Sequence, residues 1–123
     1  MIAYTTIGTN DFEGAKAFYT DLFAEIGVAP MMVMDTFAGF GTTMDQPMFA
    51  ICKPHNGKAA TGGNGTMIAL QCESHDQVNT LHSKALTLGA ADEGAPGPRG
   101  DQFYMAYFRD KDGNKIAAFT PLK

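Results

Sequence analysis

The stretch Ala106–Phe119, AYFRDKDGNKIAAF, decides the fold class because it contains two short apolar runs joined by a polar turn. At its centre, Gly113 can adopt positive φ, and Asp and Asn side chains can bond their own backbone. This pattern predicts a β-hairpin. The alternative, in which Asp110, Asp112 and Asn114 bind calcium, is disfavoured because a 12-residue loop with a closing Glu is absent.

The composition indicates a single globular domain. The chain has 123 residues, of which 45% are hydrophobic and 18% charged. A net charge of -4 with dispersed Lys and Arg argues against nucleic-acid binding, although it leaves open a cationic ligand. No apolar run approaches the roughly 20 residues that span a bilayer, so no membrane segment is expected.

The cysteines and the first residues both point to a cytoplasmic protein. Cys52 and Cys72 are too few for a disulfide framework, and we expect both to be small, buried, apolar residues in a reducing compartment. The initial MIAYTTIGTND lacks the basic start and long apolar stretch of a signal peptide.

Two segments have helical periodicity. The first begins at Phe12, with Asn10 as the expected N-cap, Glu13 as its capping-box partner and Gly27 as the stop. The second begins after Ser74, with Gln77 as partner, and ends at Gly89. The remaining apolar segments are predicted strands: Ile2–Gly8, Met31–Asp35, Phe37–Thr42, Met48–Lys53, Thr66–Cys72, Phe103–Arg109, Lys115–Thr120 and a short one near Asp92–Ala95.

The order of these elements repeats on either side of the loop HNGKAATGGNG. We therefore predict an α+β fold of two βαβββ modules, about 1–55 and about 64–121, within one domain over 1–123. Each module is expected to be a curled mixed sheet with one helix on its outer face. The other faces are expected to form a cup.

Three segments together resemble the vicinal oxygen chelate superfamily, which includes glyoxalase I, bleomycin-resistance proteins and extradiol dioxygenases. IAYTTIGTNDFEGAKAFYTDLF is similar to the family's opening strand, turn and helix, and GNGTMIAL to the first strand of its second module. AYFRDKDGNKIAAF is similar to its closing hairpin. The resemblance covers essentially the whole chain.

The resemblance places the family's metal ligands at Tyr4, Met67 and Ala117. Alanine has no donor atom, a thioether favours soft metals, and a phenol must lose a proton with a pKa near 10. We therefore expect no metal and no other cofactor. A site rebuilt from His55, His75 and His82 is the less favoured alternative, since three partly solvated histidines explain the sequence as well.

Strand alternation then predicts a ligand-binding surface in the cup. Gln71 and Tyr107 are expected to supply hydrogen bonds, and Ala117 to leave room where a carboxylate would stand. Arg99, in the predicted loop GAPGPRGD, is either an anion contact or a solvated side chain. The side-chain parity of strand 48–53 stays open. The full predicted lining is Tyr4, Thr6, Met67, Gln71, Tyr107, Ala117 and Phe119.

Three functions are compatible with these residues. The favoured one is a metal-free, homodimeric protein of the bleomycin-resistance kind that holds a small, partly aromatic or cationic molecule. The second is a lyase, isomerase or dioxygenase of the superfamily with an altered site. The third is a structural or regulatory module whose cup is filled by its own side chains.

Overall fold

The computed structural model describes residues 1–123 and divides into two compact units, Met1–Gly62 and Gly63–Lys123. Each unit has the order strand, helix and three strands, so the predicted α+β fold of two βαβββ modules is confirmed. Neither helix has the length and apolar content needed to cross a bilayer.

Each unit contains one four-stranded mixed sheet. The first sheet has the order β1-β4-β3-β2 and the second β5-β8-β7-β6. The β1–β4 and β5–β8 pairs are parallel, and the other pairs are antiparallel. The elements are β1 (Tyr4–Gly8), α1 (Phe12–Phe23), a 3-10 turn (Ala24–Ile26), β2 (Ala29–Val33), β3 (Phe37–Gly41), β4 (Met48–Cys52), β5 (Met67–Gln71), α2 (His75–Thr87), β6 (Ala91–Arg99), β7 (Phe103–Arg109) and β8 (Lys115–Pro121).

The N-terminus of α1 differs from the prediction. The N-cap is Asp11, whose Oδ1 accepts a 3.0 Å hydrogen bond from the Gly14 backbone N–H. Asn10, the predicted cap, instead donates to the Ala60 carbonyl at 3.2 Å and accepts from the Ala60 N–H at 2.7 Å. An amide side chain can donate and accept in this way, whereas an ionised carboxylate can only accept, which suits the cap.

The N-cap of α2 is Ser74, as predicted, and Gln77 bonds the residue before it. Ser74 Oγ accepts from the Gln77 N–H at 3.1 Å, and Gln77 Oε1 accepts from the Glu73 N–H at 2.8 Å. Both helices are followed by the predicted glycine in the positive-φ region, Gly27 at 71° and Gly89 at 106°. These caps satisfy backbone groups that a helix end leaves free.

An aromatic cluster forms the core of the first unit. Tyr19 and Phe23 on α1 contact Phe40 on β3 and Phe49 on β4, with ring centroids 4.9–6.4 Å apart. Because Phe49 points toward the helix, alternation puts Met48, Ala50 and Cys52 on the opposite face. This decides the parity that the sequence left open.

The core of the second unit lies between α2 and the inner strands of its sheet. The apolar side chains through which α2 packs on β7 and β8 have no exposed surface. Ile116 and Phe108 are register partners, as are Ala118 and Ala106, so all four side chains share the helix-facing side. The buried helix residues are Val78, Leu81 and Ala85.

Strand β6 is longer than the sequence predicted. It covers Ala91–Arg99, which includes most of the segment predicted as a loop. Pro96 and Pro98 are tolerated because β6 lies at the sheet edge and its register with β7 shifts twice, between Asp92 and Gly94 and between Gly94 and Gly97. Tertiary pairing with β7 therefore overrides the local turn signals.

The turn between β7 and β8 is as predicted. Gly113 has φ 86°, and its N–H bonds to the Asp110 carbonyl. The buried Asp110 carboxylate accepts from the backbone N–H groups of Asp112 and Asn114 and from Asn114 Nδ2, at 2.9–3.0 Å. These bonds commit its oxygens to the turn, which supports turn chemistry over the calcium alternative.

Candidate functional site

The open face of the second sheet, opposite α2, carries five of the seven predicted lining residues. Ala117 on β8 is the register partner of both Ala69 on β5 and Tyr107 on β7. Direct partners and second neighbours along a strand point to the same side. The residues that share this face are Met67, Gln71, Tyr107, Ala117 and Phe119. Their role in ligand binding remains a prediction.

Ala117 does not leave an open space, contrary to expectation. Its side chain has no accessible surface. Ala117 lies on the inner strand β8, with Tyr107 as its neighbour on β7 and Lys115 and Phe119 as its neighbours along β8. All three side chains extend further from the sheet than the alanine methyl group. The exposed small residue of the same row is Ala69.

Tyr107 is enclosed by two cationic side chains. Lys115 Nζ lies 5.0 Å and Arg99 Cζ 5.3 Å from its ring centroid, both within cation–π range. The ring is half-buried, and its hydroxyl donates to Met105 Sδ at 3.4 Å. A side chain at Gly94 would meet this cluster, since an added Cβ would lie 2.8 Å from Tyr107.

Arg99 is neither a solvated loop residue nor a free anion contact. It is part of β6, and its guanidinium donates to the carbonyls of Ala95 at 2.7 Å, Gly97 at 3.1 Å and Pro98 at 3.3 Å. The Arg99 side chain folds back over β6, and these bonds hold its positive charge near the ring of Tyr107. Because the part of β6 that contains Arg99 was predicted as a loop, the sequence missed this arrangement.

The open face of the first sheet contains a cavity of about 540 Å³. Cys52 on β4 pairs with Phe37 on β3, and Thr6 on β1 pairs with Ala50, so these side chains share the face opposite α1. The rings of Tyr4 and Phe37 meet edge to face, with centroids 5.8 Å apart. The cavity is lined by Tyr4, Thr6, Thr36, Phe37, Cys52, Lys53, Pro54 and His55.

Sequence reasoning found only two of these lining residues, Tyr4 and Thr6. Phe37 and Cys52 were missed because their orientation depends on the register of β3 with β4. The polar side chains of the lining make no hydrogen bond or ion pair with the rest of the chain, so their donors and acceptors are available to a ligand. They are Tyr4, Thr6, Thr36, Lys53 and His55.

The residues at the three implied metal-ligand places do not fit a hard divalent ion. Ala117 has no donor, Met67 offers only a thioether, and Tyr4 is a phenol. No group of three or more His, Cys, Asp or Glu side chains is arranged to hold a metal. The chain's own donors therefore supply no ligand set of the kind that the resemblance implies.

Two of the histidines have defined structural partners; His75 is partly exposed, as expected, whereas His82 is buried. His82 on α2 is buried, and its Nε2 lies 3.1 Å from Asp92 Oδ1 on β6. His75 stacks on Tyr104 with centroids 4.0 Å apart, and its Nε2 lies 3.0 Å from the Leu122 carbonyl oxygen. These contacts use both side chains within the second unit.

Two ionisable groups of the second unit have shifted pKa values. The Gly94 N–H, and to a lesser extent His82, hold the pKa of the Asp92 carboxyl below its usual value. Burial raises the pKa of the Cys72 thiol, which favours the neutral form. Both cysteines are free thiols, but only Cys72 is fully buried.

The comparisons agree with this fold. A family model described as Glyoxalase/Bleomycin resistance protein/Dioxygenase superfamily matches residues 1–118. A glyoxalase/bleomycin resistance protein from Albidiferax ferrireducens T118 is 34% identical, with 97% of each chain covered and a TM-score of 0.88. No match is found among curated proteins.

More distant structures share the fold alone. A glyoxalase/bleomycin resistance protein/dioxygenase family enzyme from Burkholderia phytofirmans PsJN is 20% identical, with 95% of each chain covered and a TM-score of 0.77. Lactoylglutathione lyase from Agrobacterium tumefaciens is 19% identical, with 97% of this chain and 92% of that chain covered and a TM-score of 0.71. On the family match and the 34% relative, the chain belongs to the glyoxalase/bleomycin resistance protein/dioxygenase superfamily.

Proposed function

We propose that this protein binds a small organic molecule without a metal. The observation that carries the proposal is the cavity of about 540 Å³ on the open face of the first sheet. Its volume lies in the range of roughly 300–1,000 Å³ that is usual for small-molecule sites. Tyr4 and Phe37 supply aromatic surface, and hydroxyl, ammonium and imidazole groups without protein partners supply the polar contacts.

The open face of the second sheet is proposed as a further contact surface. Gln71 is exposed and its amide makes no hydrogen bond within the chain, so it can orient a ligand. Met67 is 42% exposed, and Phe119 packs against Phe103, which is itself 42% exposed. These side chains offer apolar area beside polar donors, the combination that small-molecule sites use.

The absence of a metal is part of the proposal and rests on residue chemistry. At the three implied ligand places the chain has a phenol, a thioether and a methyl group, which do not form a ligand set for a hard ion. The two sheets of the fold are nevertheless present. A binding function needs only shape and hydrogen bonds, so it tolerates this loss.

We further propose a homodimer that works in the cytoplasm. Each four-stranded sheet has two edge strands, and an uncovered edge is a liability that proteins usually cover. At the edge strand β1, two large hydrophobic side chains are also exposed, namely Tyr4 in the strand and Ile2 just before it. The two free thiols, Cys52 and Cys72, are suited to a reducing compartment.

A thermal-shift screen of small organic molecules, followed by calorimetry, tests the binding proposal. Thr6→Trp should fill the cavity and abolish binding of a hit, because Thr6 is an exposed residue of its lining. Thr42→Trp is the matched control, since Thr42 is exposed, lies in the same unit and is outside the lining. Hits that bind Thr6→Trp as tightly as the unmodified protein would contradict the proposed cavity.

A further inference from the structure

The open face of the second sheet carries an excess of positive charge in a chain whose net charge is -4. Its cations are Arg99, Arg109 and Lys115. The register of β7 with β6 and with β8 puts all three on the same side of the sheet as Tyr107. The carboxylate that reaches them is Glu93, which pairs with Arg109 Nε. Two cations on this face therefore have no carboxylate partner.

Lys115 differs from the two arginines in having no partner for its donors. Arg109 Nη1 donates to the Gly113 carbonyl at 2.8 Å in addition to its pairing with Glu93, and Arg99 is bonded to backbone carbonyls of its own strand. The Lys115 ammonium has three donors, and its one contact of note is the ring of Tyr107. It is the cation on this face that is free to bind an anion.

The residues along β8 give this face a direction. Lys115, Ala117 and Phe119 follow one another on the open side, so the strand presents a cation, a small residue and an aromatic ring in sequence. At a rise of about 3.3 Å per residue, the two ends lie roughly 13 Å apart. Beside Ala117 lies the exposed Ala69, so only small side chains occupy the middle of the face, between Lys115 and Phe119.

We propose that this face selects a small anion with an apolar or aromatic body, with its carboxylate or phosphate on Lys115 and its body toward Phe119. Arg99 adds positive potential without leaving its carbonyl partners, and Tyr107 holds the Lys115 ammonium by cation–π contact. The proposal rests on the proposed small-molecule function and specifies its ligand class. It replaces the cationic ligand that the acidic net charge left open.

Calorimetric titration with four probes of similar size tests the charge preference. Benzoate and phenyl phosphate carry the anion, benzamide is the neutral analogue of benzoate, and benzylamine is the cationic one. Benzoate or phenyl phosphate should bind at least tenfold more tightly than the other two, and raising salt should weaken that binding. Which of the two anions binds better distinguishes a carboxylate site from a phosphate site.

Variants at Lys115 locate the effect. Lys115→Gln should weaken anion binding about tenfold or more, whereas Lys115→Arg should retain it. Lys111→Gln, an exposed lysine of the adjacent turn, is the matched control and should bind as the unmodified protein does. Thermal unfolding of each variant separates a loss of binding from a loss of fold.

Two results would overturn the inference. One is benzamide or benzylamine binding as tightly as the anions, and the other is unchanged anion affinity in folded Lys115→Gln. If neutral or cationic molecules from the thermal-shift screen bind and anions do not, the anion proposal is wrong while the small-molecule function stands. If no molecule of any charge binds, the proposed function itself is wrong.

Discussion

Ala69 on β5 and Ala117 on β8 are direct register partners on the open face of the second sheet, yet only Ala69 is exposed. A large side chain at position 69 therefore enters the space above the sheet without disturbing the core. We expect Ala69→Trp to weaken any ligand of this face at least tenfold, with the free energy of unfolding changed by no more than about 0.5 kcal/mol.

The matched control for Ala69→Trp is Ala118→Trp, on the helix-facing side. Ala118 has no exposed surface and pairs with the buried Ala106. Overpacking there should lower the free energy of unfolding by about 1–3 kcal/mol or more. Denaturant unfolding and calorimetry on both variants check the pair. If Ala69→Trp unfolds the protein and Ala118→Trp is harmless, the assignment of faces is reversed.

The bonds of Asp92 predict a loss of stability in acid. The Gly94 N–H and then His82 lower the pKa of this carboxyl in the folded state. A lowered carboxyl pKa stabilises the fold above the unfolded value, about 3.9, and that contribution is lost as the pH falls through the folded pKa. Asp92→Asn should therefore lower the melting temperature at pH 7, and the difference from the unmodified protein should shrink by pH 3.

The control for the acid prediction is Asp101→Asn, at an exposed residue of the turn between β6 and β7. Its melting temperature should follow that of the unmodified protein at both pH values. Thermal unfolding followed by circular dichroism measures all three proteins. An Asp92→Asn deficit that is as large at pH 3 as at pH 7 would contradict the assigned role of the carboxylate.

The Asp110 carboxylate should be a large local contributor to stability. It is buried and accepts three hydrogen bonds within the turn between β7 and β8. Asp110→Ala leaves these donors without an acceptor, and we expect the free energy of unfolding to fall by about 2–3 kcal/mol. Lys111→Ala, an exposed change in the same turn, should cost less than about 0.5 kcal/mol. Urea unfolding of the two variants provides the comparison.

Protein purified without added metal should contain no stoichiometric transition metal. The reason is the donor chemistry of Tyr4, Met67 and Ala117 together with the lack of any other His, Cys, Asp and Glu cluster. Elemental analysis by mass spectrometry measures the content, and chelator treatment should leave the melting temperature unchanged. Near-stoichiometric zinc, iron, nickel or manganese whose removal lowers that temperature would refute the metal-free proposal.

The protein should be a dimer in solution. Light scattering at micromolar concentration should give about twice the 13.1 kDa chain mass. The exposed edge strands and the exposed apolar side chains Ile2 and Tyr4 are the reason for this expectation. A charge placed in this patch, as in Ile2→Glu, should shift the mass toward the monomer. A single-chain mass for the unmodified protein would contradict the prediction.

The sequence by itself determined the order of elements, the hairpin at Asp110–Asn114 and the two sides of the second sheet. These features depend on local chemistry, since helical periodicity, strand alternation and turn residues act over a few neighbouring positions. For this reason strand alternation alone assigns Ile116 and Ala117 to opposite faces of the sheet. The three residues that replace the metal ligands were also visible directly in the sequence.

Only the tertiary structure decided which side chains lie next to one another on each sheet face and which of them are exposed. The orientation of Cys52 depends on its pairing with Phe37, and the burial of Ala117 depends in part on the pairing of β8 with β7, which puts Tyr107 beside it. The position of Arg99 over Tyr107 requires that β6 pair with β7 despite its prolines. Alternation defines two sides of a strand but carries no information on register or on what packs beside it, because those follow from contacts between residues far apart in the chain.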